Sequence, residues 1–351
     1  MKKRVSVIVC IVLGLLVIVP FGLAVFLYEQ NFGERLEPYA PLSRSLDEFA
    51  GLKREKFTFA SQDGQGLVGY KYCKDSVDAR GVVIMAHGLG GGGHNSYLDV
   101  ADYLASHGYL VFAYDATGNG ESEGNSVRGI PQGLIDLDYA IRFVKNTSDF
   151  AGLPIMLFGH SWGGYSAASV LNYHSDVQAV VMAAGFNEST DVIAEAGQEM
   201  VGDLISVLLP YVSVYERVKF GDYAKQSSIA GFDNTQAGVM ILYSLDDDNI
   251  SFEASYDVFF KRYGKNPRFQ FVQFEDRGHD SIWYAASARV YQAQFNEQFA
   301  VYVQSLEQGF TPEVRADYLQ NHLEKSLLYV LDEEIMGSIV SFYDQYAQEK
   351  R

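Results

Sequence analysis

Leu157-Phe158-Gly159-His160-Ser161-Trp162-Gly163-Gly164 takes an apolar strand that begins at Pro154 through a G-x-S-x-G turn and directly into a helix. A serine on such a strand-to-helix turn projects above the edge of a sheet, and glycines two before and two after it leave room for a tight backbone and an approaching substrate. The pattern needs that context, because glycine and serine are common in this chain. Gly120-Glu121-Ser122-Glu123-Gly124 also matches the spacing, but it sits in a polar loop leading to Pro131 and reads as a turn. Ser161 is therefore the candidate nucleophile.

Working outward from this turn, near-continuous apolar strands alternate with helices. Strands are expected at 82–86, 109–114, 155–158, 179–183, 239–243 and 269–274, and helices at 97–107, 130–145 and 165–173. That alternation predicts a mostly parallel sheet covered on both faces. Residues 56–60 and 67–73, joined by Ser61-Gln62-Asp63-Gly64, read as an antiparallel hairpin ahead of it. The stretch from Asn187 to Thr235 is far longer than an ordinary connection between neighbouring strands and is expected to form a helical cap, about 187–235. Within it Met200, Leu204 and Leu208 stand out as lining for an acyl pocket. The same stripe also holds Val201, Ile205, Leu209 and Tyr211, and at helical spacing such a stripe is more often plain packing. Further helices are expected after Ala285. Thr311-Pro312 and Asp332 mark two of their starts, and a last helix at 333–348 is expected to pack on the sheet.

The hydrophobic fraction of 48% suffices for a large core, and the formal net charge of −17 excludes nucleic acid and anionic membrane surfaces as partners. The seven histidines lack metal-site spacing and the two cysteines, Cys10 and Cys73, are not placed to pair. Neither metal nor cofactor is expected. The first residues differ from the rest: Lys2-Lys3-Arg4 precede an uncharged apolar run from Val5 to Tyr28. At about 1.5 Å per residue it is long enough for a hydrocarbon core about 30 Å thick. The expectation is a single-pass membrane anchor over residues 1–30, then a linker over 31–50. The main domain, 51–351, would lie outside the cytoplasm, because the basic cluster stays inside. A signal peptide cleaved near Gly22-Leu23-Ala24 is the alternative.

A serine hydroxyl needs a histidine to take its proton and a carboxylate to orient that histidine. The strand ending at Tyr243-Ser244 runs into Asp246-Asp247-Asp248, and the strand 269–274 runs into Gly278-His279. His279 is the base candidate, with one of the three aspartates as its partner. The order Ser, Asp, His is the one such a sheet requires. Backbone amides at Leu89, after strand 82–86, and at Trp162, after the serine, are placed to hold an oxyanion.

These motifs together resemble the α/β-hydrolase superfamily, in particular its serine aminopeptidase-like and monoacylglycerol-lipase-like esterase branch. The resemblance covers about residues 55–285 plus the terminal helix. It rests on His87-Gly88-Leu89-Gly90, Asp115-Ala116-Thr117-Gly118-Asn119-Gly120-Glu121-Ser122, the Ser161 turn, Ser244-Leu245-Asp246-Asp247-Asp248-Asn249-Ile250 and Gly278-His279. It implies an eight-stranded α/β-hydrolase sheet with a cap. It also selects Asp247 by register, since the family's acid lies three residues before an aliphatic position, here Ile250. Ser244 replaces the family's glycine, and helical material at about 285–331 is extra. The implied activity is a Ser-His-Asp hydrolase working through an acyl-enzyme on a small-molecule acyl substrate, with a carboxylic ester favoured. Peptidase or thioesterase chemistry would use the same triad. A non-catalytic surface protein on a hydrolase fold is the alternative of another class. Gly88-Leu89-Gly90-Gly91-Gly92-Gly93, with Asp115 ending the next strand, also satisfies a dinucleotide fingerprint. The loop character of His94-Asn95-Ser96 and the preceding hairpin count against that reading. Oligomeric state is not legible.

Overall fold

The computed structural model describes residues 2–75, 79–90, 92–306 and 309–347, with side chains from residue 14 onward except residue 15. Helix α1 (Lys2–Phe32) comes first, followed by a hairpin of β1 (Leu52–Ala60) and β2 (Gly66–Lys74). Strands and helices then alternate as β3 (Gly81–Ala86), α2 (Leu98–Ser106), β4 (Tyr109–Tyr114), α3 (Ile130–Asn146), β5 (Ile155–His160), α4 (Trp162–Ser169) and β6 (Ala179–Ala183). The cap contains α5 (Ser189–Val201), α6 (Leu204–Phe220) and α7 (Ser228–Asp233). The chain then returns through β7 (Gly238–Ser244), α8 (Val258–Tyr263) and β8 (Phe269–Phe274). It finishes with α9 (Ala286–Gln304), α10 (Pro312–His322), α11 (Lys325–Leu328) and α12 (Glu333–Ala347).

The eight strands form one sheet in the order β1-β2-β4-β3-β5-β6-β7-β8. β2 is antiparallel to β1 and β4, and all pairs from β4 to β8 are parallel. Because successive side chains point to opposite faces, β3 sends Val82, Ile84 and Ala86 to one core and Val83 and Met85 to the other. The first core is closed by α3, α4 and the cap. The second is closed by α2 and by α12, whose Tyr343 hydroxyl donates to the Leu157 carbonyl at 2.8 Å. Thr311 caps α10 through the amide of Val314, and Asp332 accepts the amides of Glu334 and Ile335 at the start of α12.

Three sequence expectations change. Helix α4 begins three residues before the expected 165, because the turn at Ser161 feeds it without a spacer. The linker at 31–50 is tied down: Arg35 donates to the carbonyls of Ser122 and Gly124 at 2.7 and 3.0 Å, and Leu36 forms a bridge with Asn119. The extra helices hold it from the other side, with Tyr329 donating to the Leu42 carbonyl at 3.0 Å.

The third change concerns the expected anchor. Residues 1–13 and 15, Cys10 among them, lie outside those whose side chains are described. No helix is long and apolar enough to cross a membrane among the described residues. The last turns of α1 lie on the protein instead: Ala24, Tyr28 and Phe32 recur every four residues and are buried in the first core, facing α6.

Candidate active site

β5 lies between β3 and β6, with Gly159 beside Ala86 and His160 beside Ala183. Its end therefore emerges at the middle of the sheet. Ser161 there takes φ 54° and ψ −116°, a conformation sparsely populated by non-glycine residues. The strain is held by neighbours: the Ser161 amide donates to the Ala183 carbonyl at 2.8 Å, and its carbonyl accepts the Tyr165 amide at 3.0 Å. A Cβ on Gly163 would stand 1.9 Å from the Ala86 carbonyl oxygen, and one on Gly159 would stand 2.1 Å from that of Gly163. These glycines let the turn pack against β3, which is the steric reason for the spacing seen in the sequence. The other serine match, at Ser122, lies in a turn and donates to the Asp115 carbonyl at 2.5 Å.

The loops after β7 and β8 bring His279 and Asp247 together, with Nδ1 2.8 Å from Oδ2. The other oxygen of Asp247 accepts the amides of Asn249 and Ile250 at 2.9 Å each, so the carboxylate is fully buried yet satisfied. Asp246 does something else: it accepts from the Ser244 hydroxyl at 2.5 Å and from the Gly278 amide at 2.8 Å, tying the two loops together. Asp248 accepts from its neighbour Asn249. Burial disfavours the charged imidazole of His279, but the hydrogen bond and charge of Asp247 outweigh it and hold the pKa above the ordinary histidine value. Among the described residues no hydrogen bond joins Ser161 to His279; such contacts are commonly long before substrate arrives.

His160, which the sequence shows only as the residue before the candidate nucleophile in the G-x-S-x-G turn, proves to be a hub. Its Nε2 lies 3.0 Å from the His279 carbonyl and its Nδ1 lies 2.9 Å from the Tyr97 hydroxyl. That hydroxyl in turn accepts the Gly88 amide at 3.0 Å. Burial, then the proximity of His279, pushes the His160 pKa well down, so the ring is neutral, with Nε2–H donating and Nδ1 accepting. The base loop, the serine turn and the loop after β3 are thereby joined. Nothing in local sequence pattern marks this role; the G-H-S order alone was visible.

Leu89 lies in the loop after β3, and no hydrogen bond of the described residues engages its amide or that of Trp162. The Trp162 indole is buried and donates to the Ile130 carbonyl at 2.7 Å. Leu89 and Ile130 open onto a cavity of about 230 Å³ with an almost wholly apolar lining. Met200 and Val201 on α5 and Ile205, Leu208 and Val212 on α6 line it, whereas Leu204 points outward and is 44% exposed. The helical phase accounts for the difference: Leu204 and Leu208 are one turn apart, but the cavity lies on the side of Ile205 and Leu208. The remaining wall is α1, through Ala24, Leu27, Tyr28 and Phe32.

Two groups of side chains bring ligand-type atoms within 4.8 Å of one another, His160 with His279 and Asp280, and His94 with Asp115 and Glu121. In the first, His160 Nε2 bonds the His279 carbonyl and His279 Nδ1 bonds Asp247. In the second, Asp115 accepts the amide and Nδ1 of His94 and the amide of Glu121, bracing the loop around Gly93. The dinucleotide reading fails on the same detail, since Gly93 opens a short 3-10 turn before α2 and Asp115 is occupied within the protein.

A central parallel sheet with a serine turn at its middle strand and an Asp-His pair on later loops is the architecture of an α/β-hydrolase. The family model for serine aminopeptidase S33 matches residues 77–264, more than half of the chain, and the protein belongs to that family, on its monoacylglycerol-lipase-like branch. The chain is 33% identical over 103 residues to the human monoglyceride lipase, covering 29% of this chain and 33% of the lipase. It is 34% identical over 113 residues to the monoacylglycerol lipase of Mycolicibacterium smegmatis, covering 32% and 39%. These matched stretches span 33% and 39% of the two relatives' lengths. Among solved structures, an esterase of Pyrococcus furiosus superposes with a TM-score of 0.53 at 15% identity, covering 77% of this chain and 98% of the esterase. Est1E of Butyrivibrio proteoclasticus, with ferulic acid bound, gives 0.51 at 20% identity over 70% and 99%. At such identities the likeness is one of fold.

Proposed function

We propose that this protein is a serine hydrolase that cleaves carboxylic esters of apolar acyl groups, monoacylglycerols being the substrate class. The observation that carries the reading is the buried, fully satisfied Asp247 held 2.8 Å from His279, on loops beside the strained Ser161 turn. His279 takes the Ser161 proton at Nε2 as Oγ attacks the ester carbonyl carbon, while Asp247 accepts the Nδ1 hydrogen and stabilises the imidazolium. The amides of Leu89 and Trp162 hold the oxyanion. Collapse breaks the bond to the alkoxy oxygen, which leaves as the alcohol carrying the His279 proton. Water, deprotonated by His279, then attacks the acyl-enzyme and releases the acid and free Ser161.

The cavity favours esters over peptides. An aminopeptidase must recognise an ammonium, and among the described residues the cavity lining contains no carboxylate. An alkyl chain placed there gains about 0.8 kcal/mol for each buried methylene. We also infer that the first turns of α1 hold the chain at a membrane. The basic start, the uncharged run that follows and the exposed Leu16, Val17, Ile18 and Val19 support this. Fractionation with and without carbonate washing tests it, and release into the soluble fraction would sink it.

The decisive test is labelling of the full chain by a fluorophosphonate probe, followed by peptide mapping. Labelling is expected at Ser161 and is expected to vanish in Ser161→Ala and His279→Ala. A folded wild-type protein that takes no label would overturn the catalytic reading in favour of a binding protein on this fold.

A further inference from the structure

The family match begins at residue 77, yet the apolar cavity is closed by residues near 24–32. We propose that the last turns of α1 are the specificity-determining wall of the acyl site, with Ala24 and Leu27 setting the length of chain it accepts. This rests on the ester-hydrolase reading above.

The wall is built, not merely adjacent. Glu216 of α6 is buried, and its Oε1 accepts the Tyr28 hydroxyl at 2.8 Å and the Ser189 hydroxyl at 2.7 Å, so one carboxylate joins α1, α5 and α6. The next residue of α1, Glu29, accepts the Tyr215 hydroxyl at 2.6 Å and pairs with Lys219. Tyr28 also meets Tyr215 edge to face, with centroids 5.4 Å apart, and Phe21 meets Tyr211 at 6.4 Å. The far side is equally tight, since a Cβ on Gly129 would lie 1.8 Å from the Tyr28 hydroxyl. A helix held at this many points has a fixed face. The residues it presents to the cavity are Ala24, Leu27, Tyr28, Asn31 and Phe32. Ala24 is the smallest of them, and it is 1% exposed. A larger side chain there projects into space that an alkyl chain would fill, and a smaller one at Leu27 opens more. A helix packed only for anchorage would leave chain-length preference untouched by either change.

The experiment compares kcat/KM for p-nitrophenyl butyrate and decanoate in the full chain, in detergent, for wild type, Ala24→Phe and Leu27→Ala. Ala24→Phe is expected to lower the decanoate-to-butyrate ratio about tenfold, the scale on which a pocket discriminates by one or a few methylenes. Leu27→Ala is expected to raise the decanoate-to-butyrate ratio by more than about threefold. Ratios within about twofold of wild type in both variants would overturn the wall while leaving the hydrolase reading intact. If Ala24→Phe does not fold, Leu27→Ala alone decides. Binding of cis-parinaric acid to the same variants on a Ser161→Ala background separates the two claims. Should wild type cleave no ester, the hydrolase reading fails, and an Ala24→Phe loss of parinarate affinity would still support the wall. Unchanged affinity would then overturn it too.

Discussion

The serine turn and the apolar cavity share a border at Leu89 and Ile130, yet they are held in different ways. The turn is made by backbone: a strained Ser161, two glycines packed on carbonyls, and loops whose carboxylates accept amides a few residues away. The cavity is made by side chains from segments far apart in sequence, with Tyr28 reaching Glu216. A constraint on backbone geometry leaves a compact sequence motif. A constraint on complementary surfaces leaves only apolar residues, which look alike whatever they face.

The sharpest way to break this contrast is at the carboxylate. Asp247→Asn is expected to reduce kcat/KM on a short ester by about 10³ to 10⁴-fold, as loss of the orienting acid does in serine hydrolases generally. Asp248→Asn is expected to stay within about twofold, as a surface change should. Equal effects in steady-state assays would mean that the loop, and not one carboxylate, matters. The pH dependence comes next. His279 must be neutral to act as base, and its pKa is raised, so activity is lost as pH falls through a value above the ordinary histidine figure of about 6.5. In Asp247→Asn the residual activity should show that limb moved down, since the partner that favours the charged ring has gone. A wild-type limb below the ordinary value would contradict the assignment.

The smallest effect is expected on the cavity side. Glu216→Ala strands the Tyr28 and Ser189 hydroxyls, so urea unfolding should show a loss of about 1–3 kcal/mol. Burial raises the Glu216 pKa, with the two hydroxyls opposing that rise, so part of the cost of a buried carboxylate is relieved when it takes a proton. No measurable loss would mean that α1 is held by apolar contact alone.

Much of the sheet was readable in advance because a doubly covered parallel strand has to be apolar throughout. β4, β6 and β8 have the expected limits, and other strands differ by a few residues at their ends. The cap was legible by length alone. Within it the heptad-like stripe could not separate Leu208, which lines the cavity, from Leu204, which does not, because both lie on the apolar side of an amphipathic helix. The bridging role of His160 was not legible for a related reason: its partners, Tyr97 and the His279 carbonyl, are remote in sequence.

What the sequence by itself determined, then, was whatever depends on short-range covalent geometry: the G-x-S-x-G turn, the strand order that places Ser161, His279 and a nearby aspartate at strand ends, and the α/β class. The family register pointed to Asp247, and the tertiary structure sets it against His279; only the tertiary structure decided that Asp246 ties the loops together and that the last turns of α1 face protein. The physical reason is that α1 carries no charge from Val5 to Tyr28, so no periodicity marks the face it buries. That face is chosen by the helices that meet it.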